Sequence, residues 1–255
     1  IAEAIRLELN AGEKLGIDEE EVGLEVSNGT WLRKIKEKLI NPEIIKKSKT
    51  VKSFKAVLRA YQKTGFSWLS YMQKLGFGAC LADDMGLGKT VQVIAFLENV
   101  RVQNGGKALL VIPASLIGNW QKEIEKFAPQ MSVTVLHGKE AVENLEGENT
   151  FLYITTYGMV SRMEELRNIF WDILILDEAQ AIKNPGTKQT KTVKAIKAKT
   201  KLAMTGTPIE NKLSDLWSLF DFLDPGLLGN VKEFTKFTKK IGDNSSDYAK
   251  LRNCL

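Results

Sequence analysis

The sequence predicts an α/β fold, a parallel β-sheet with helices on both faces. Two observations carry this. Short strand-like runs at Ala79–Ala82, Ala108–Pro113, Met131–Leu136, Phe151–Tyr157, Trp171–Leu176 and Lys201–Thr205 alternate with segments whose apolar residues recur at helical spacing. The sequences of unusual character fall where such a run ends, and open α/β sheets gather their ligands at the C-terminal ends of their strands.

Residues 1–50 are charge-rich and form a flanking segment. Within it Trp31, Leu32, Ile35 and Leu39 predict one amphipathic helix, with Pro42 marking its end or the start of the next. From Phe54 the apolar density rises through Val57, Leu58, Tyr61, Phe66, Trp68 and Leu69. The pentapeptide LRAYQ, Leu58–Gln62, lies inside this stretch. A glutamine amide donates and accepts at once, which matches the paired donor and acceptor on the edge of adenine, so Gln62 is a candidate adenine reader.

The run Ala79–Ala82 leads into DDMGLGKTV, and an apolar helical run follows to Leu97. Strand, glycine-bearing loop and helix start form a phosphate cradle. Backbone N–H groups from Met85, Gly86, Leu87 and Gly88 point inward, Lys89 neutralises β/γ-phosphate oxygens, and the Thr90 hydroxyl reaches Mg²⁺. Gly86 and Gly88 are required because a side chain would block the backbone's approach or forbid its dihedrals. The common pattern has a glycine six residues before the lysine, and Asp83 stands there instead.

The next run, ALLVIP, ends in proline, and Leu116, Ile117, Trp120, Ile124 and Phe127 then follow at helical spacing and read as core. After FLYITTY a helix is expected through Met163 and Leu166. The run WDILIL ends on Asp177-Glu178, the first polar residues to leave the core. At a strand tip beside a phosphate loop, Asp177 would hold Mg²⁺ through water and Glu178 would orient and deprotonate the attacking water. Together the loop and the acid pair point to ATP or GTP binding, with ATP preferred because of Gln62. Leu213, Leu216, Trp217, Phe220 and Leu223 predict a last amphipathic helix.

At 255 residues the chain can bury one good core and perhaps begin another. It contains no run of about eighteen apolar residues, so no membrane partner is expected. The N-terminus has no apolar signal-peptide core and no initiator Met, which suggests an excised fragment. Cys80 and Cys254 fit neither a disulfide framework nor a zinc site, so a reducing compartment is expected. Cys80 reads as a buried strand residue. His137, the one histidine, has no ligand cluster around it and reads as structural. The net charge of +5 is unevenly spread. From Ala179 to Ile209 there is no acid, while Lys183, Lys188, Lys191, Lys194, Lys197, Lys199 and Lys201 fall in that window, which suggests either a polyanion partner or a solvated lysine face.

The stretches LADDMGLGKTVQVIAF, VIPASLIGNWQKE, ITTY, ILDEAQAIKN and LAMTGTPIENKLSDLWSLFDFL resemble the first-lobe motifs of Swi/Snf-type ATPases, the double-stranded DNA translocases of helicase superfamily two. The resemblance runs from Val57 to about Gly229, and there Asp or Glu is usual where Asp83 and Asp84 stand. It implies a RecA-like lobe at residues 51–229, followed at 230–255 by the start of a helical insertion toward a second RecA-like lobe. It also implies ATP and Mg²⁺ as cofactors, double-stranded DNA as partner, a monomer, and a cytoplasmic location in a prokaryote or archaeon or a nuclear one in a eukaryote.

Position by position, the resemblance assigns Lys89, Asp177 and Glu178 to catalysis, with Thr90 and Asp177 at the metal. Thr205, Gly206 and Thr207 would couple nucleotide to DNA. Pro113, Ser115, Thr155, Thr156, Lys183 and Asn184 would touch the DNA backbone. Ala60 replaces the proline usual in LRPYQ, and Gln180 replaces the histidine usual in DEAH, a coupling position. If residues 187–198 are helical, Lys188, Lys191, Lys194 and Lys197 share a positive face against DNA while Val193 and Ile196 dock on the lobe. An RNA or single-strand helicase lobe and a non-catalytic scaffold stay open as other classes.

Overall fold

In the computed structural model, the described strands are β1 (Ala79–Leu81), β2 (Ala108–Ile112), β3 (Val133–Leu136), β4 (Leu152–Thr156), β5 (Phe170–Leu176) and β6 (Lys197–Met204). They form a single sheet in the order β1-β6-β5-β2-β4-β3. Every neighbouring pair is parallel. The structure describes residues 37, 41, 44–84, 86–138, 140–145, 149–206, 213–232 and 234–236. The expected helix around Trp31, Leu32, Ile35 and Leu39 lies outside them, as do Met85, Thr207 and residues 237–255.

All residues of β2 and β4 are buried, as are Ile173–Leu176 of β5. This is why these strands read as continuous apolar runs rather than alternating ones: both faces of the sheet are covered. On one face Leu110, Ile112, Ile154, Ile173 and Ile175 pack with residues of α1 (Ala60–Leu75), α2 (Lys89–Asn104) and α3 (Ile117–Phe127). The other face carries Leu109, Val111, Tyr153, Leu174 and Leu176. Against it lie α4 (Ala141–Leu145), α5 (Tyr157–Val160), α6 (Glu165–Asn168), α7 (Lys188–Lys194) and α8 (Leu213–Leu223). The α/β class read from the sequence is the fold observed.

Helix α2 is buried without a break from Gln92 to Val100. A helix with no polar face needs cover on every side. Part of that cover is the segment before α1, held by Asn99, whose Oδ1 accepts from Val51 N and whose Nδ2 donates to Lys49 O, both at 2.9 Å. The buried carboxylate of Glu98 is met by a two-pronged ion pair from Arg101 at 2.7 and 2.8 Å.

Four expectations change in detail. The helix expected through Met163 and Leu166 is two short helices, α5 and α6, because the chain turns back after Val160, with Arg162 N and Met163 N both bonding Met159 O. Strand β6 starts at Lys197, not Lys201. Helix α7 accordingly stops at Lys194, so Lys197 is not on a helical face with Lys188 and Lys191. The reason is legible afterwards: Lys197, Lys199 and Lys201 alternate with Ala198, Thr200 and Leu202, a strand period of two, and Phe170 to Leu174 of β5 supplies the pairing edge. Cys80 lies in β1 as expected but is half-buried, and burial pushes its thiol up to about 12.

Candidate active site

The parallel sheet sends β1, β6, β5, β2 and β4 toward one edge, and the turns that leave them lie side by side in that order. The β1 turn is the glycine loop. Gly86 and Gly88 have φ of 84° and 78°, and Gly88 is the N-cap of α2, so Lys89 and Thr90 open a long helix whose free N–H groups and positive dipole end face the loop. Side chains from both sides fix this loop. The Gln62 amide accepts from Arg59 N at 2.9 Å and donates to Leu87 O at 3.1 Å. Gln92, fully buried in α2, donates to Asp83 Oδ2 at 3.0 Å and to Gly88 O at 3.3 Å. Asp83 is therefore a tether between the loop and α2. The Lys89 ammonium donates to Asp83 O at 2.7 Å and to Asp84 O at 3.2 Å.

Asp177 and Glu178 leave β5. Asp177 N donates to Val111 O at 3.0 Å, extending the ladder one step past the strand, and the side chain turns inward. It is 7% exposed. Its Oδ2 accepts from Trp120 Nε1 at 2.8 Å and its Oδ1 from Glu178 N at 2.9 Å. Burial raises this carboxyl above its ordinary value; the hydrogen bonds from Trp120 and the Glu178 N–H pull the other way, as does the nearby Lys89 charge, while Glu178 adds to the rise. The Lys89 charge thus acts on Asp177 across the site. Glu178 has a left-handed backbone, φ 51° and ψ 54°. That conformation is uncommon for a residue with a side chain. The Tyr157 hydroxyl donates to Asp177 O at 2.8 Å and lies 3.5 Å from Glu178 O. Burial first, then the charges of Asp177 and Glu178, hold this phenol well above its ordinary value, so it stays a donor.

From Glu178 a chain of side chains runs to β6. Gln180 Nε2 donates to Glu178 Oε2 at 2.6 Å, and Gln180 Oε1 accepts from Thr205 Oγ1 at 2.9 Å. Thr205 N is anchored to Leu81 O at 3.2 Å. Thr205 and Gly206 therefore stand between the glycine loop and the acid pair, because β6 lies between β1 and β5.

The residues expected along a DNA backbone fall in two groups. Ser115, Lys183, Asn184, Lys188 and Lys191 are exposed, and Pro113 is partly so. Thr155 and Thr156 are buried: Thr155 Oγ1 donates to Leu136 O at 3.0 Å, and Thr156 Oγ1 caps α5 by accepting from Met159 N at 3.3 Å. Their hydroxyls hold the corner together rather than face outward. Gly158 and Arg162 are the exposed residues there. Lys194 is also spent inside the fold, paired with Asp221 at 2.8 Å and lying 4.9 Å from the Trp217 ring centre.

Sequence reasoning assigned Trp120 to the core and gave Tyr157 and Gln92 no role. Trp120 is indeed 1% exposed, but its indole N–H is aimed at Asp177. Tyr157 did carry a signal, since it completes ITTY at a strand end.

A family model described as the SNF2-related domain matches residues 61–255. The chain belongs to this family. Among SNF2-related structures, the Sulfolobus solfataricus SWI2/SNF2 ATPase core in complex with dsDNA is 43% identical and superposes with a TM-score of 0.76, over 82% of this chain and 45% of that one. A Bacillus subtilis (strain 168) protein, YwqA, named as a candidate ATP-dependent helicase/translocase, is 41% identical over 84% of this chain and 24% of its own. The TATA-binding protein-associated factor mot1 of Schizosaccharomyces pombe (strain 972 / ATCC 24843) is 35% identical over 82% of this chain and 12% of its own. This SNF2-related chain thus spans about a quarter or less of these two relatives.

Proposed function

We propose that this chain is the first, ATP-binding lobe of an ATP-dependent double-stranded DNA translocase that remodels protein–DNA complexes and that needs a second RecA-like lobe for turnover. The observation that carries the reading is the convergence, at one edge of the sheet, of the glycine loop, the Asp177-Glu178 pair and Thr205, with Gln180 joining the last two at 2.6 and 2.9 Å.

In this reading the start of α2 and the loop N–H groups bind the phosphates, and Lys89 exchanges its loop carbonyls for phosphate oxygens. Gln62 reads adenine and braces the loop through Leu87. Glu178 orients the attacking water and takes its proton, and Gln180 holds its carboxylate in place. The donor set fits Mg²⁺. Among the described residues no cluster of three or more His, Cys, Asp or Glu could cage a metal, and Mg²⁺ characteristically takes one or two carboxylates together with substrate phosphates and water. Asp177 and Thr90 would hold it, and the ion would supply charge neutralisation at the phosphates. The exposed Ser115, Lys183, Asn184, Lys188 and Lys191 support a nucleic-acid face beside the site. A second lobe would bring the arginine finger, worth about three to five powers of ten in rate in such enzymes.

The test uses the intact two-lobed protein. Glu178→Gln should bind ATP and fail to hydrolyse it, whereas Lys89→Ala should fail to bind; equal hydrolysis by both variants and wild type rejects the assignment. Stimulation of turnover by duplex over single strands, without strand displacement, separates a duplex translocase from a single-strand or RNA helicase. The lobe alone should bind ATP weakly and barely turn it over, and duplex-stimulated turnover by the isolated lobe would overturn the need for its partner.

A further inference from the structure

Asp177 is held by hydrogen bonds from two aromatic side chains on opposite faces of the sheet. Trp120 comes from α3, whose core lies on one face, and donates to the carboxylate at 2.8 Å; Tyr157 comes from α5, on the other face, and donates to the main-chain oxygen at 2.8 Å. Each stands beside a turn that exposes a residue to a docking nucleic acid, Ser115 for Trp120 and Gly158 for Tyr157. Trp120 follows the turn Pro113–Leu116 by four residues, and Tyr157 directly follows Thr155-Thr156, ahead of the exposed Gly158. Both rings are buried, at 1% and 6% exposure. A ring on two torsions, packed on all sides, moves with its backbone rather than independently of it.

The acceptors are equally constrained. Asp177 Oδ1 is taken by Glu178 N, and the peptide whose oxygen Tyr157 binds is the one that carries Glu178 into its left-handed conformation. Moving Trp120 therefore turns the carboxylate, and moving Tyr157 tilts the peptide that sets the direction of the Glu178 side chain.

We propose that Trp120 and Tyr157 are positioning residues that transmit nucleic-acid docking, at the turns 113–116 and 155–158 respectively, to the geometry of Asp177 and Glu178. The inference rests on the reading of the chain as a nucleic-acid-stimulated ATPase lobe and deepens it, by naming the bonds through which stimulation passes. Core filling alone would need the two rings but neither polar hydrogen.

The experiment is made on the intact two-lobed protein with Trp120→Phe, Tyr157→Phe and the double variant. It measures kcat with and without saturating duplex, KM for ATP, duplex affinity and melting temperature. Loss of one positioning hydrogen bond should lower the ratio of stimulated to unstimulated kcat about fivefold in each single variant, with KM and duplex affinity within about twofold of wild type. The double variant should lose most of its stimulation. Should Trp120→Phe fail to fold, Tyr157→Phe, which removes one oxygen, decides alone. Wild-type stimulation ratios in folded variants overturn the proposal, as does a loss of turnover that leaves the ratio unchanged. If the wild-type protein itself shows no stimulation, the underlying reading fails first, and the proposal falls with it.

Discussion

The side-chain amide of Gln180 donates to Glu178 Oε2 at 2.6 Å while its oxygen accepts from the Thr205 hydroxyl. One carbon thus carries both the donor that holds the acid and the acceptor that ties it to β6, and neither group titrates. Replacing it by Glu removes the donor and sets a second negative charge against Glu178. Gln180→Glu in the intact protein should lower kcat at least about tenfold, the scale of a lost charge-assisted hydrogen bond, with ATP affinity within about threefold. Single-turnover hydrolysis and nucleotide-binding titrations separate these two readouts.

The bracing of the loop by Gln62 makes a second prediction. Gln62→Glu keeps size and the acceptor for Arg59 N but cannot donate to Leu87 O, so ATP affinity should fall about tenfold with little change in melting temperature. Gly88→Ala should be worse. Its φ is +78°, and a Cβ there would lie 2.6 Å from Gln62 Nε2, so the substitution strains the backbone and displaces the brace together. Isothermal titration with a non-hydrolysable ATP analogue checks both.

Salt titrations test the basic surface. Lys188 and Lys191 are exposed on α7, whereas Lys194 is tied to Asp221 and Trp217. If each exposed lysine neutralises one phosphate, the double variant Lys188→Ala/Lys191→Ala should reduce the slope of log affinity against log salt by about 1.8. Lys194→Ala should leave that slope unchanged and lower stability by about 1 kcal/mol. Equal slopes for wild type and the double variant would remove α7 from the interface.

The Glu98–Arg101 pair predicts an acid limb in stability. Burial raises the Glu98 pKa, but the hydrogen bonds and charge of Arg101, helped by the nearby Ser53 hydroxyl, outweigh it, and the net value is below the ordinary 4.5. A depressed folded-state pKa gives stability that is present in full above about 4.5 and is lost as pH falls through the folded value. Thermal melts should therefore show this contribution constant from neutrality to about pH 5 and declining below it. Arg101→Met should cost about 3–5 kcal/mol, because the Glu98 side chain has no solvent exposure and its charge would be left unpaired. Glu98→Gln in the same chain should recover much of that loss.

The parts of the fold that were legible in the sequence are those where local pattern and final environment agree. Buried parallel strands must be apolar on both faces, so ALLVI and ILIL announced themselves, and the first polar residues after them had to lie at the sheet edge. The lysine window was less legible because lysine tolerates helix and strand alike; the alternation Lys197-Lys199-Lys201 was the deciding signal, and it was outweighed by the helical spacing of the lysines before it. Trp120 was hidden for another reason. Its helical spacing identifies a core position, but nothing local reveals that its one polar hydrogen meets a carboxylate 57 residues away. Gln92 is similar: its partner Asp83 was visible as a departure from a motif, and only the packing of α2 under the loop shows what that carboxylate holds.

The left-handed Glu178 sets stability against chemistry. A carbon side chain in that conformation costs roughly 1 kcal/mol relative to glycine. Glu178→Gly should therefore melt higher than the native chain and be inert. Any screen of this lobe for thermal resistance alone will be drawn toward that substitution, so selection for endurance and selection for turnover pull position 178 in opposite directions.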